Sequence, residues 1–382
     1  MIAYLRQLLK PKYPTLNRLE ISAEAIKYNL EFLRAQQPNA KMIPVVKSNA
    51  YGHGLKEICI ILSRLGVEMV ALDSFPEAQI AYRYFKGRVL LLGEMQIPTY
   101  RHLDWSRTEI CVYNEETLSA LAALGVRPKV HLFINTGMNR EGIKDLPLFW
   151  DKHSQLLSKV DINGLCSHLA DGEGDGTFND KQLKIFFESH DYLLSQGVSP
   201  KWVHLGNSAG VFALKDERLN AYRPGLALYG YNPFSSESVH YEEAKKLQPA
   251  LRLLSTVVAV QKIQPGEAVS YNAAYRSQHD TSIAVIPFGY YEGLDRRLSN
   301  LADFYLIKDK KKIPLKLAGK VCMNLSCLDA GGEASVTPGD TVVLISTDKA
   351  DANSLENLAK LQGTIPYEIL VKFQANIRRN IV

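Results

Sequence analysis

Residues 42–73 read MIPVVKSNAYGHGLKEICIILSRLGVEMVALD: an apolar run (42–46), a polar bend, an amphipathic stretch (55–66) and a second apolar run (69–73). In LKEICIILSRLG the apolar residues recur at spacings of three and four, and the stretch closes on Gly66, which suits a helix C-terminus. The same texture continues outward. Further apolar runs are VLLLG (89–93), EICVY (109–113), KVHLFI (129–134), INGLCSHLA (162–170), WVHLGN (202–207) and LALYG (226–230), and DKQLKIFFESHDYLLSQG (180–197) supplies another helical period. Eight strand candidates with intervening helices predict a (β/α)8 barrel of the TIM type over residues 1–245. A doubly wound sheet is the alternative, but no GxGxxG follows the first strand.

Beyond about residue 245 the pattern changes. The runs LRLLSTVVAV (251–260), TSIAVIPF (281–288), DFYLI (303–307) and TVVLIS (341–346) are separated by turn signals such as Pro265-Gly266 and Pro338-Gly339-Asp340. A helical period returns only at SLENLAKLQG (354–363). Residues 246–382 therefore read as a second, mostly β domain.

With 382 residues, 46% of them hydrophobic, the chain has material for a real core. Its 45 basic against 40 acidic residues give only +5, too little and too dispersed for a nucleic-acid binder. The one dense basic run, Lys308 to Lys312, lies between two strand-like segments and reads as a solvated hairpin tip. No apolar stretch approaches the roughly 20 residues of a membrane span, and charges at Arg6, Lys10 and Lys12 interrupt any signal-like N-terminal run. A cytoplasmic protein is expected. Five cysteines without a CxxC pair indicate neither a zinc knuckle nor a disulfide framework, so no metal site is expected. Asp171 to Gly176 imitates the start of a calcium loop, but Glu at the third position and Gln182 at the twelfth argue for a plain loop. Cys322 and Cys327 read as strand packing.

In such a barrel, chemistry gathers at the C-terminal ends of the strands. Lys47 ends the first strand; a lysine there is either paired, bonded to a carbonyl as a Schiff base, or an ordinary lysine reaching to the rim. Asn135 to Arg140 follow the fifth strand and His168 the sixth. Gly206-Asn207-Ser208-Ala209-Gly210 follow the seventh, and Arg223-Pro224-Gly225 stand at the eighth. Small residues with free amides suit a phosphate. A lysine beside phosphate-cradling loops suggests pyridoxal 5′-phosphate.

These segments carry a resemblance. VVKSNAYGHG (45–54) resembles the cofactor-lysine signature of the pyridoxal-phosphate-dependent alanine racemases. The similarity continues through INTGMNREG, SHLADGEG, HLGNSAG and RPGLALYG, then VSYNAAYRS, IPFGYYEGLDRRLSN, GKVCMNL and GTIPYEIL, over residues 15–379. The resemblance implies that Lys47 is the Schiff-base lysine and the base acting on the D-amino acid. It implies that Tyr271 is the opposing base, reaching the cofactor across a head-to-tail homodimer. Arg140 would orient the substrate carboxylate, and Met323 would add a backbone contact to it. Tyr51, Ser208, Gly225 and Tyr367 would hold the phosphate, with Asn207 alongside; His168 would flank the ring, and Arg223 would face the pyridine nitrogen. Because arginine stays charged in proteins, it would not protonate that nitrogen.

Three positions depart from the family pattern. A lysine, often carbamylated, is usual seven residues before the arginine equivalent to Arg140; here it is Phe133, so a bound chloride or Asn135 is expected to hold Arg140 instead. The usual aspartate after the methionine is Asn324, and the usual Ala-Asp pair of the GYADG segment is Tyr291-Glu292. The expected activity is interconversion of L- and D-alanine, supplying D-alanine for peptidoglycan. A broad-specificity or serine racemase on the same scaffold is the alternative. A non-catalytic pyridoxal-phosphate carrier would lack the second domain, and the decarboxylase branch would carry motifs not found here.

Overall fold

The computed structural model describes residues 13–172, 176–309, 311–332 and 335–382; the N-terminal charges and part of the Asp171–Gly176 loop lie outside them. The chain divides into two compact units. One is Ile21–Ala250 with Ile381–Val382; the other holds the described residues up to Glu20 and Leu251–Asn380. The first strand, β1 (Arg18–Ile21), joins the sheet of the second unit and not the barrel.

The barrel strands follow in chain order: β2 (Lys41–Met42), β3 (Met69–Leu72), β4 (Arg88–Leu91), β5 (Thr108–Val112), β6 (Lys129–Phe133), β7 (Asp161–Cys166), β8 (Trp202–His204) and β9 (Ala221–Tyr222). β3 to β8 form one parallel sheet in sequence order, and β9 pairs in parallel with β2. Backbone bonds close the ring: Val46 donates to Ala71 (2.8 Å), Val45 to Pro224 (2.9 Å) and Arg223 to Gly206 (2.8 Å). This is the expected barrel, with one strand misplaced. The eighth strand is Ala221–Tyr222; Leu226–Tyr229 is a 3₁₀ turn. Leu226 to Tyr229 are at most 2% exposed, and an apolar run buried on every side does not by itself distinguish strand from helical turn. Pro44, lacking an N–H, likewise confines regular pairing of MIPVV to its first residue.

The two barrel helices read from periodicity form over Leu55–Arg64 and Thr177–Ser195, each followed by a left-handed glycine, Gly66 and Gly197. Inward side chains fill the barrel in layers. Met69, Ala71, Leu90, Cys111, Phe133, Cys166 and Trp202 make its apolar filling. Three polar side chains, Glu109, His131 and His204, are fully buried on the same strands.

The second unit adds β10 (Leu251–Thr256), β11 (Ala259–Ile263), β12 (Ala268–Val269), β13 (Tyr275–Arg276), β14 (Thr281–Ile286), β15 (Asp303–Lys308), β16 (Lys311–Leu317), β17 (Ser326–Asp329), β18 (Thr341–Ile345) and β19 (Arg378–Ile381). Among the described residues its main sheet runs β11-β14-β17-β16-β15-β18-β10-β1-β19. The lysine-rich run is the turn of the β15–β16 hairpin, where Lys308 pairs with Lys311; Lys310 lies outside the described residues. Among the described residues no helix is long and apolar enough to cross a membrane.

Candidate active site

Lys47 follows β2 and starts an unusual turn. Ser48, Asn49, Ala50 and Tyr51 all have φ between 51° and 55°, a left-handed helical turn of L-residues costing roughly 1–2 kcal/mol at each position. Surrounding bonds hold it. Ala50 N–H donates to Val46 (2.9 Å), the Asn49 side chain accepts from Leu55 N–H (2.9 Å), and Glu77 accepts from Ser48 N–H (2.6 Å) and Asp73 N–H (3.0 Å). Strain of this kind concentrates where a side chain must be aimed. The Lys47 ammonium meets Asp73 at 3.2 Å, and both are partly exposed.

A small cradle lies beside it. Ser208 Oγ accepts from Gly225 N–H (3.0 Å) and Ala227 N–H (3.1 Å). A Cβ on Gly225 would sit 2.5 Å from the Tyr51 hydroxyl oxygen, so glycine is what lets this backbone approach Tyr51. Asn207 caps the helix Ser208–Ala213, its side-chain oxygen accepting from Ala209 and Gly210 N–H at 3.0 and 3.1 Å.

Arg223, 3% exposed, donates to the carbonyls of Ser167 (2.5 Å) and His204 (3.0 Å) and to His204 Nδ1. Its Nη2 also lies 3.4 Å from His168 Nδ1. Burial, then the charges of Arg223, Arg140 and Lys47, lower the His168 pKa to about 3. His168 is therefore a neutral ring within the field of all three cations.

Arg140 is oriented by a residue the sequence reading overlooked. Glu141 Oε1 accepts from Arg140 Nε (3.1 Å) and Nη2 (2.6 Å), and this bond raises the arginine further above its ordinary pKa. Asn135, expected to hold Arg140, is otherwise engaged: its oxygen accepts from Gly137 and Asn139 N–H, both at 3.1 Å, and its amide meets Asn139 at 3.2 Å. Phe133 sits in the barrel with its ring 4.8 Å from that of Tyr113. The signal for Glu141 was present, a carboxylate directly after the arginine, but neighbours in sequence usually face apart and the pairing depends on the loop's local shape.

Thus the barrel gathers Lys47, Tyr51, Arg140, His168, Asn207, Ser208, Arg223 and Gly225 on the segments following its strands. Tyr271, Met323 and Tyr367 belong to the second unit. Tyr271 lies 63% exposed in a short 3₁₀ turn, with Ser270, Asn272 and Ala273 at φ 65°, 60° and 48°. Tyr291 N–H donates to the Met323 carbonyl (2.9 Å). Glu292 accepts from Gly289 N–H (2.8 Å) and from the Asn324 amide (2.9 Å), joining two of the departing positions in one bond. Tyr367 stands on the helix Pro366–Lys372.

The donor set suits pyridoxal phosphate: an amine for its aldehyde, amides and hydroxyls in a glycine-dependent cradle for its phosphate, and a guanidinium in the same strand-end group.

Residues 21–233 match the family model described as alanine racemase, N-terminal domain, and residues 250–381 that described as alanine racemase, C-terminal domain. The chain is 32% identical to an alanine racemase of Geobacter sp. (strain M21), over 92% of this chain and 94% of the relative. It is 30% identical to that of Thermodesulfovibrio yellowstonii, over 95% and 97%. The solved alanine racemase of Clostridium difficile 630 superposes with a TM-score of 0.87 at 25% identity, covering 97% of both chains. That of Streptomyces lavendulae gives 0.86 at 26%, over 97% and 98%. The chain belongs to the alanine racemase family.

Proposed function

We propose that this chain interconverts L-alanine and D-alanine with pyridoxal 5′-phosphate, in the cytoplasm, supplying D-alanine for peptidoglycan. The observation that carries this reading is Lys47 on its left-handed turn, within the same group of strand-end loops as the Ser208–Gly225–Tyr51 cradle and Arg223. The bound cofactor would acidify the α-hydrogen of an attached amino acid by drawing its electron pair into the ring.

Racemisation needs one base on each face of that centre. Lys47 Nζ serves one face and Tyr271 Oη the other. Arg140, held by Glu141, presents its guanidinium to the substrate carboxylate, with Met323 assisting from its backbone. Arg223 only donates, so it leaves a pyridine nitrogen facing it unprotonated. That weakens the electron sink and favours return of the proton to carbon. Tyr51, Asn207, Ser208, Gly225 and Tyr367 hold the phosphate, and His168 flanks the ring. Tyr271 and Met323 are more than half exposed on their own unit; a homodimer with its active site shared across the interface would cover them. The direct test is turnover: purified protein with added pyridoxal phosphate should form D-alanine from L-alanine.

Two expectations refine this reading. Tyr367 narrows the room beside the substrate side chain, so alanine should be favoured over serine by about 1–3 kcal/mol. Tyr367→Asn should raise the serine-to-alanine ratio of kcat/KM about tenfold. If the unsubstituted enzyme already turns over serine and basic amino acids as well as alanine, the broad-specificity reading replaces this one.

The second concerns the Arg140–Glu141 pair. With a carboxylate supplied by Glu141 and no lysine at Phe133, neither bicarbonate nor chloride should change the rate. Glu141→Gln should lower kcat/KM about tenfold, or about 1.4 kcal/mol. Assays in bicarbonate-free buffer, with and without chloride, check the first point. A rate restored by added bicarbonate would contradict it.

A further inference from the structure

A buried polar chain runs up the barrel interior through three layers of side chains. Glu109, His131 and His204 are fully buried and Arg223 is 3% exposed. Register places each group one layer above the last: Cys111 is opposite His131, His131 opposite Gly164, and Cys166 opposite His204. Gly164 makes room for the chain, since a Cβ there would lie 2.4 Å from the His131 ring. Glu109 Oε2 accepts from His131 Nε2 (2.8 Å) and Asn163 Nδ2 (2.6 Å), and its Oε1 accepts from Arg88 Nε (2.5 Å). His131 Nδ1 is 2.7 Å from His204 Nε2, and His204 Nδ1 faces Arg223 Nη1.

The two ends dictate the order of protons between them. Arginine has no acceptor, so His204 Nδ1 must be bare. A neutral His204 then carries its proton on Nε2 and donates it to His131 Nδ1. That nitrogen must also be bare, so His131 carries its proton on Nε2 and gives it to Glu109. An imidazolium at His131 would leave two N–H groups pointing at each other. Burial by itself raises the Glu109 pKa, but the bonds from His131 and Asn163 and the Arg88 charge outweigh it and hold it below its ordinary value. Burial, then the charge of Arg223, push His204 well below its usual pKa. Each end of the chain is thus locked.

Cys166 lies close enough for His131, Cys166 and His204 to be considered as metal ligands. The 2.7 Å between the two ring nitrogens is shorter than the ligand spacing of about 3.3 Å that tetrahedral zinc with 2.0–2.1 Å bonds would impose. It is a hydrogen-bond distance.

We propose that Glu109 is a positioning residue for Arg223, acting through the fixed tautomers of His131 and His204. The role given to Arg223 rests on the racemase reading; the proton order does not. The arrangement makes a specific prediction for E109Q. Arg88 can only donate and keeps the one remaining amide oxygen, so the glutamine NH2 takes the place of Oε2, where Asn163 can turn its own amide oxygen to it, and faces His131. Its Nε2 must then accept, its proton moves to Nδ1, and His204 is forced to carry its own on Nδ1, against an arginine that can only donate.

The experiment is nitrogen NMR of full-length protein labelled with [15N]histidine, with pyridoxal phosphate bound, read alongside kinetics. In the unsubstituted protein both His131 and His204 should show a protonated Nε2 and a bare Nδ1. In E109Q both should switch, and kcat should fall about tenfold while KM for alanine moves less than about twofold. A protonated Nδ1 on either ring of the unsubstituted protein overturns the proposal, whether or not E109Q folds. So does E109Q with unchanged tautomers, or with switched tautomers and unchanged kcat. Should alanine not turn over at all while the tautomers are as expected, the racemase reading fails and the proton order stands.

Discussion

Replacing Lys47 by alanine should remove at least about three orders of magnitude of racemase activity, since both the proposed general base and the proposed covalent anchor of the cofactor would disappear. Borohydride should then no longer fix pyridoxal phosphate to the chain. The substitution separates chemistry from folding cleanly. The ammonium is partly exposed and its pairing with Asp73 is of the surface kind, which contributes little to stability. The left-handed turn is held by Val46, Asn49 and Glu77 and not by the lysine side chain. Thermal unfolding of the variant without cofactor should therefore match that of the parent. Cofactor still fixed by borohydride in the variant would place the covalent bond on another residue and remove the basis for the mechanism above.

Barrel strands were legible because each is a short apolar run with a polar bend behind it, and such periodicity depends only on local sequence. LALYG failed for the same reason: a run buried on all sides carries no period to distinguish strand from turn. β1 was invisible because its partners are more than 200 residues away, at β10 and β19. The site residues came mainly from motif resemblance, with the strand-end lysine and the small-residue loop as independent support. What the motifs did not contain was their geometry. Nothing in Ser48-Asn49-Ala50-Tyr51 announces four consecutive left-handed residues, since asparagine alone among them tolerates that region readily. The buried chain did leave a trace: Glu109, His131 and His204 are each a polar residue inside a mainly apolar strand. Only the register shows that they stand on one line.

The two proposed bases share a backbone feature. Lys47 precedes four left-handed residues and Tyr271 is flanked by three. Both side chains are thus mounted on backbone that ordinary L-residues avoid, and such strain persists only where the surroundings over-determine it. At the tyrosine, Ser270 Oγ donates to the Lys320 carbonyl (2.7 Å) and the Asn300 amide to the Ala274 carbonyl (2.9 Å). These bonds would hold the turn whether or not the phenol is present, so a change at Tyr271 should test chemistry alone.

Tyr271→Phe should suppress removal of the α-hydrogen from L-alanine by about 10²–10⁴-fold while leaving removal from D-alanine by Lys47 largely in place. Net racemisation cannot show this difference. The two alanines are mirror images with equal free energy, so kcat/KM must be the same in both directions for any variant, and both must fall together. Exchange with solvent escapes that constraint. In deuterium oxide, Lys47 as the proposed base would take the hydrogen of D-alanine, trade it with water and return deuterium to the same face, giving labelled D-alanine without inversion. L-Alanine has no such route once the phenol is gone. Early-time mass spectrometry on each enantiomer should therefore find deuterium entering D-alanine far faster than L-alanine, whereas the unsubstituted enzyme labels both. Equal suppression of wash-in on the two enantiomers would mean that Tyr271 acts on both faces through positioning, and the second base would have to be sought on another residue.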